Sequence, residues 1–218
     1  MENRKKFAVV LSGCGVFDGS EIHEAIMTLY AIMKNNGDYE MFAPDIPQKH
    51  VINHITGEEM KEGRNVLVES ARIARGKIRS LDQFRAEEFD SIIFPGGYGA
   101  AKNLSSFAFD GPDCTINPQV EKAVRDMADQ GKPVGAVCIA PALMAKILSQ
   151  PVLTIGDDQE TASALESMGA IHKKTGHGQV VVDENHKLVT SPCYMLDATI
   201  INIAEGADAV VKKLLELM

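Results

Sequence analysis

One cysteine in this chain sits where a cysteine can do chemistry. Cys138 follows the apolar run Val134-Gly135-Ala136-Val137, entered through Lys132-Pro133, and precedes Ile139-Ala140-Pro141-Ala142-Leu143-Met144. The first stretch reads as a buried strand and the second as a helix start. A sharp turn between them presents the side chain, and the backbone N–H groups of a helix N-terminus favour thiolate over thiol. A thiolate is a nucleophile, so the position suggests covalent catalysis. The alternative is a buried structural cysteine, since free cysteine also behaves as a small hydrophobe.

A nucleophile needs partners. Gly96-Gly97 follows another apolar run, and the N–H groups of Gly97 and Ile139 could hold the oxygen of an attacked carbonyl. A plain glycine turn is the other reading of that pair. Glu21 and Glu24 fall in the first turns of a predicted helix, on neighbouring faces. Asp18 to Glu21 also fits a capping box. Glu24 lies beside the apolar Ala25 and Ile26, where a carboxyl held out of water has a raised pKa and can exchange protons near neutrality. Gly96 is a candidate substrate contact, and so are Lys102 and Asn103 on the connection after Gly97, although solvated loop residues would look the same.

Other chemistries find no support. Gly13-x-Gly15 is followed by Gly19, one position too late for a dinucleotide loop, and no P-loop occurs. His23-Glu24 lacks the second histidine of a zinc-protease helix. Cys14, Cys114, Cys138 and Cys193 form no C-x-x-C pair, so no metal site is expected. No His-x-Glu pair follows Cys138, which speaks against glutaminase chemistry. Hydrophobic residues make up 45% of the 218 positions and the net charge is -8. That composition belongs to a globular chain, and the negative balance argues against binding nucleic acid or an anionic membrane. No apolar stretch approaches the length of a membrane helix. The charged start, Met1 to Lys6, carries no signal-peptide core, and with the cysteine pattern this leads to the expectation of a reducing cytoplasm.

The elements that must position these residues alternate. Strands are expected at Phe7–Leu11, Glu40–Ala43, Ser91–Phe94, before Cys138 and at Val152–Ile155. Helices are expected from Ile22 to Met33, Val66 to Ala74, Pro118 to Ala128, after Cys138 to about Leu148, and Glu160 to Met168. Residues 45 to 63 read as a polar loop with a turn near Thr56-Gly57, and 98 to 117 as a long connection. Val180–Val182 and Lys187–Thr190 read as a hairpin, and Asp197–Leu217 as a helix interrupted or kinked at Gly206. The alternation predicts one α/β domain over 1–218 with a mostly parallel sheet. Its crevice lies at the carboxyl ends of the strands, where Gly13, Gly96 and Cys138 would meet.

Several segments carry a resemblance: Leu11-Ser-Gly-Cys-Gly-Val-Phe-Asp-Gly-Ser-Glu-Ile-His-Glu24, Phe42-Ala-Pro-Asp45, Arg64-Asn-Val-Leu67, Ala71-Arg-Ile-Ala-Arg-Gly76, Pro95-Gly-Gly-Tyr-Gly-Ala-Ala-Lys-Asn-Leu104 and Cys138-Ile-Ala-Pro141. Together they resemble the class I amidotransferase-like superfamily that holds the PfpI-type proteins and a Parkinson-linked deglycase. Over about residues 6 to 217 the chain is most similar to the ElbB glyoxalase family, once labelled isoprenoid-biosynthesis proteins. The resemblance implies a flavodoxin-like three-layer sandwich with a nucleophile elbow. It implies a nucleophilic Cys138 with Glu24 as carboxyl partner and Glu21 nearby, a homodimer, and conversion of glyoxal to glycolate without glutathione, or the related removal of early glycation adducts. One departure stands out: several superfamily members place a histidine directly after the nucleophile, and here that residue is Ile139. No cofactor is required, because a small dicarbonyl brings its own reactive carbonyls. The competing reading is a redox-sensing or regulatory cysteine protein; an α/β module binding an unidentified metabolite is a third.

Overall fold

Phe7, Ala8, Val9 and Val10 are all fully buried. A strand buried on both faces belongs in the middle of a covered sheet. The computed structural model, which describes residues 4–218, shows that sheet; the first three residues of the charged N-terminal stretch lie outside it. In chain order the elements are β1 (Lys6–Val10), α1 (Ile22–Lys34), β2 (Asp38–Ala43), α2 (Val66–Ile73), β3 (Arg79–Ser80), β4 (Ser91–Phe94), α3 (Tyr98–Lys102), α4 (Phe107–Asp110), α5 (Pro118–Asp129), β5 (Val134–Val137), α6 (Pro141–Ile147), β6 (Val152–Leu153), α7 (Gln159–Ser167), β7 (Ile171–His172), β8 (Val181–Asp183), β9 (Leu188–Ser191) and α8 (Ile200–Leu217).

Seven strands form the main sheet in the order β3-β2-β1-β4-β5-β9-β8, and β6 pairs with β7 in a separate ribbon. Only the β8–β9 hairpin is antiparallel in the main sheet. Alternation sorts the side chains into two layers. Phe7 and Val9 join Ala25, Leu29 and Ile32 of α1 and Ile203, Val210 and Leu214 of α8. Ala8, Val10, Ile92 and Phe94 join Val120, Val124 and Met127 of α5 and Leu143 and Met144 of α6. The fold is therefore a three-layer α/β sandwich, as expected. Strand order reverses between β1 and β4, and such a switch point opens a crevice at the strands' carboxyl ends.

The helix that carries the candidate acids starts with its own cap. Glu21, not Asp18, is the N-cap of α1, its Oε2 accepting the Glu24 N–H at 2.8 Å. Asp18 is drawn away because its Oδ2 accepts the Ile52 N–H of the following loop at 2.7 Å. At the other end Asn36 turns the chain with φ 60°, and a Cβ on Gly37 would stand 2.9 Å from Ile32 Cγ2. These features stop the helix where the Asn-Asn-Gly run suggested.

Three local expectations change. Residues 98 to 117 are not one connection: they hold α3 and α4, closed by an antiparallel bridge between Ser105 and Ile116. The Val152–Ile155 strand stops at Leu153 and leaves the main sheet for the β6–β7 ribbon. Gly206 does not interrupt α8, which runs unbroken from Ile200 to Leu217. Its role is close approach, since a Cβ there would stand 3.0 Å from Ser191 Oγ and 3.3 Å from Cys193 Sγ.

Candidate active site

Cys138 extends β5 by one bond, donating its N–H to Ser191 O of β9 at 2.9 Å. Its backbone then turns with φ 60°. A non-glycine residue in that region costs of order 1–3 kcal/mol and persists where its surroundings hold it. The strand–turn–helix elbow is thus present, but α6 begins only at Pro141 and has seven residues. The direct contact on the sulfur is instead the Gly97 N–H, which favours the thiolate.

Two chain crossings close over this turn. Pro95-Gly96-Gly97 leaves β4 directly against it. A Cβ at position 96 would lie 2.3 Å from Cys138 Cβ, 2.6 Å from Glu24 Oε2 and 2.9 Å from Cys138 Sγ. Only glycine fits there. Gly97, with φ 95°, would bring a Cβ within 2.3 Å of the Glu21 N, so the two loops interlock. The second crossing is the first turn of α1, which delivers Glu24.

Glu24 is 1% exposed. Its Oε2 accepts the Gly96 N–H at 3.0 Å and its Oε1 accepts the Tyr194 N–H at 3.1 Å. The carboxyl also shares a hydrogen bond with the Cys138 thiol. Burial pushes the Glu24 carboxyl up to about 8; the Tyr194 N–H opposes this, the nearby Glu21 charge adds to it, and the Cys138 and Gly96 bonds oppose it. Cys138, 7% exposed, is also raised, first by burial and then by the Glu24 charge. This corrects the expectation of a resting thiolate. No cation is among the groups that set the thiol's pKa, and one N–H does not compensate for lost water. At neutral pH the pair rests as an uncharged thiol beside an uncharged acid.

The remaining predicted residues divide. Ile139 keeps its N–H free: among the described residues it finds no acceptor, whereas the neighbouring Cys138 and Gly96 N–H groups are both taken. Glu21 lies next to the pair, but its Oε2 is committed to capping α1. Asn103 is not open to substrate. Its Nδ2 donates to Ser12 O and Asp18 O, both at 2.9 Å, and its Oδ1 accepts the Lys49 N–H at 3.0 Å. With its amide saturated and 5% exposed, it ties three loops together. Lys102 Nζ likewise donates to Phe17 O at 2.9 Å.

Two residues at the site escaped the sequence. Cys193 follows β9, has φ 44°, and belongs to the same apolar cluster as Cys138. Tyr194 supplies the N–H on Glu24. Ser191-Pro192-Cys193 at the end of an apolar run is the same strand-end signal that exposed Cys138, and applying that logic a second time would have found both. Among the described residues no three His, Cys, Asp or Glu side chains gather as a metal would require, and no helix is long and apolar enough to cross a membrane.

A sandwich of this topology with a cysteine elbow under a glycine pair defines the class I glutamine amidotransferase-like fold. Residues 16–196 match the model of the DJ-1/PfpI family, and the chain belongs to that family. It is 48% identical to a rat protein named ES1 protein homolog, mitochondrial, over 98% of this chain and 84% of that one. It is 46% identical to the human glutamine amidotransferase-like class 1 domain-containing protein 3, mitochondrial, over 97% of this chain and 83% of the relative. Among solved structures, an isoprenoid biosynthesis protein with an amidotransferase-like domain from Ehrlichia chaffeensis superposes with TM-score 0.91 at 36% identity, covering 98% of this chain and all of that one. A glyoxalase III from Candida albicans shares the fold alone, with TM-score 0.62 at 14% identity over 98% of this chain and 97% of that one.

These relatives correct one expectation. Their names place them in mitochondria, against the cytoplasmic home inferred from the cysteines and the N-terminal stretch. Unpaired cysteines report a reducing setting, and more than one compartment is reducing.

Proposed function

We propose that the protein is a glutathione-independent glyoxalase that converts glyoxal, or a similar small dicarbonyl, to the hydroxy acid, glycolate in the case of glyoxal, and that acts on early glycation adducts by the same chemistry. The observation that carries the reading is the buried pairing of the Cys138 thiol with the Glu24 carboxyl next to a free Ile139 N–H. Glutaminase chemistry would need a His-x-Glu pair downstream of the nucleophile, and none follows Cys138.

The steps balance without an external electron carrier. As sulfur bonds to one aldehyde carbon, its proton passes to the Glu24 carboxylate and the Ile139 N–H receives the new alkoxide. Glu24 returns that proton to the oxygen, leaving a thiohemiacetal. The carboxylate then removes the C–H proton, forming an enediolate, and delivers it to the neighbouring carbon, while the hydroxyl proton passes from the first oxygen to the second. One carbon is oxidised to a thioester and the other reduced to an alcohol. Water releases the hydroxy acid and restores the thiol. Gly96 forms the floor against which the substrate would lie.

The base in this scheme is the ionised carboxylate, so kcat/KM for glyoxal rises with pH through about 8. Steady-state assays on a dicarbonyl panel without glutathione, with Cys138→Ser as control, test the reading. Turnover that survives in Cys138→Ser would refute it. A redox-sensing role is less well supported, since oxidation follows thiolate character and exposure, and this thiol is buried and raised. The homodimer belongs to the same proposal. Ile22, Ile26, Tyr30 and Met33 form an exposed stripe along α1, with Ile200 and Ile201 exposed on the adjoining α8. Sedimentation at twice 23.6 kDa, abolished by Ile26→Glu, is the expected result.

A further inference from the structure

Tyr194 touches the site twice. Its backbone N–H donates to Glu24 Oε1 at 3.1 Å, and its phenol meets His23 Nδ1 at 2.9 Å. The two contacts fall on consecutive residues of α1, bridging from the turn after β9. That turn, Cys193–Met195, is a single 3-10 segment entered through the positive-φ Cys193, and no side chain caps it. A short uncapped turn after a strained residue has little of its own to hold its amide in place. The rings of His23 and Tyr194 stand 5.9 Å apart at 48°, so the polar contact rather than stacking joins them.

We propose that Tyr194 is a positioning residue for the Cys138–Glu24 pair: its phenol, latched to His23, holds the turn so that its amide grips Glu24 Oε1, the carboxyl oxygen that the Gly96 N–H does not take. The proposal rests on the reading that Cys138 and Glu24 are the reactive pair, but not on any particular substrate. The geometry distributes the work. The Gly96 N–H from the end of β4 takes Oε2, and the Tyr194 N–H from the β9 side takes Oε1. The other titratable groups facing the carboxyl are Glu21 on α1 and Cys193 after β9. Neither brings positive charge. The Tyr194 amide is therefore the strongest opposing influence on a carboxyl that burial drives upward. Glu21 Oε1 stands 3.9 Å from the same His23 nitrogen.

The latch replaces something this site lacks. With Ile139 after the nucleophile, no imidazole touches the sulfur to set its ionisation. The proton affinity of the pair is governed through Glu24, and Glu24 is governed in part through an amide whose position depends on a phenol.

The test is the pH dependence of Cys138 alkylation by iodoacetamide, which needs no substrate, in the full-length protein. Mass spectrometry reads the Cys138 peptide, and thermal melts confirm folding. In the wild type the rate first rises as the pair loses its first proton. Loss of a hydrogen bond to a charged group is worth about one to two pH units, and the Phe variant keeps its amide but not its anchor. Tyr194→Phe is expected to move the first rise upward by about half a unit, roughly a threefold slower reaction at neutral pH. His23→Leu should give the same shift, and the double variant no more than either single one. An unmoved profile in Tyr194→Phe with an intact melt overturns the proposal, and so do additive shifts in the double variant. If glyoxal turnover is absent from the wild type while these shifts appear, the substrate assignment fails and the positioning role stands.

Discussion

The pair's proton is the property most open to measurement, and Glu24→Gln isolates it. The native carboxyl titrates near 8, against an ordinary value of 4.5. Below pH 4.5 the folded and unfolded chains both hold this proton. Between 4.5 and about 8 only the folded chain holds it, so stability falls as pH rises through that window and levels off above it. At 1.36 kcal/mol per unit the full window amounts to ~5 kcal/mol, and coupling to Cys138 makes ~2–5 kcal/mol the expected span. The glutamine variant has nothing to titrate at this position. Its amide nitrogen must face either the Gly96 or the Tyr194 N–H, a pH-independent cost of ~1–3 kcal/mol. The variant should therefore be the less stable protein at pH 5 and should gain on the wild type by ~2–5 kcal/mol by pH 8.5. Urea unfolding at half-unit intervals, followed by circular dichroism, gives the difference directly, because every other titrating group is common to both chains. If the two stability curves run parallel from pH 5 to 8.5, Glu24 is already ionised in the native state and the uncharged pair does not exist.

Two further outcomes follow from the same contacts. Gly96→Ala places a methyl 2.6 Å from Glu24 Oε2 and 2.9 Å from Cys138 Sγ, and Cys138 cannot retreat because its N–H is held by Ser191 O; glyoxal turnover should fall by about 100-fold or more, as a displacement near 1 Å would cause, and an unchanged kcat would show that the glycine is not in contact with the reacting groups. Asn103→Ala strands two backbone acceptors and one donor, which should cost ~2–4 kcal/mol and lower Tm by roughly 5–15 °C; a raised KM with an unchanged melt would return Asn103 to the substrate pocket.

What could be read from the sequence was whatever depends on local pattern. The both-face burial of Phe7–Val10 and Ser91–Phe94, the Pro that opens α5 and the Asn-Asn-Gly stop of α1 are local signals, and those elements form where they point. The elbow at Cys138 is of the same kind. The two-residue strands β3 and β7 carry no period to detect. Gly206 looked like a break because a glycine weakens an isolated helix, whereas its reason is the neighbouring Ser191 and Cys193, 13 to 15 residues away in sequence. Asn103 looked free for substrate because its three partners come from residues 12, 18 and 49. Capping of α1 moved from Asp18 to Glu21 because a loop donor from Ile52 competed for the aspartate. In each case the outcome was decided by a group too distant in sequence for spacing to reveal.

The sign of the thiol's shift belongs to that last category and has the largest consequence. A strand–cysteine–helix signal promises an ionised sulfur only if the helix dipole or a cation outweighs burial. Here α6 is short and begins three residues late, and the nearest ionisable partner is a carboxyl. Two buried groups that both prefer to be neutral stabilise one another's neutral form, because ionising either places a charge beside the other with no water to screen it. Such a site is quiet toward oxidants and stray electrophiles at rest. In the proposed reaction it becomes nucleophilic when a carbonyl enters, since bond formation to sulfur and proton transfer to the carboxylate then occur together and no free thiolate must be sustained. Because burial raises both groups, only a minority of pairs has lost a proton at pH 7. In the proposed reaction, selectivity for small carbonyl compounds would come from the requirement that the electrophile pass Gly96 and accept the Ile139 N–H before the sulfur can act.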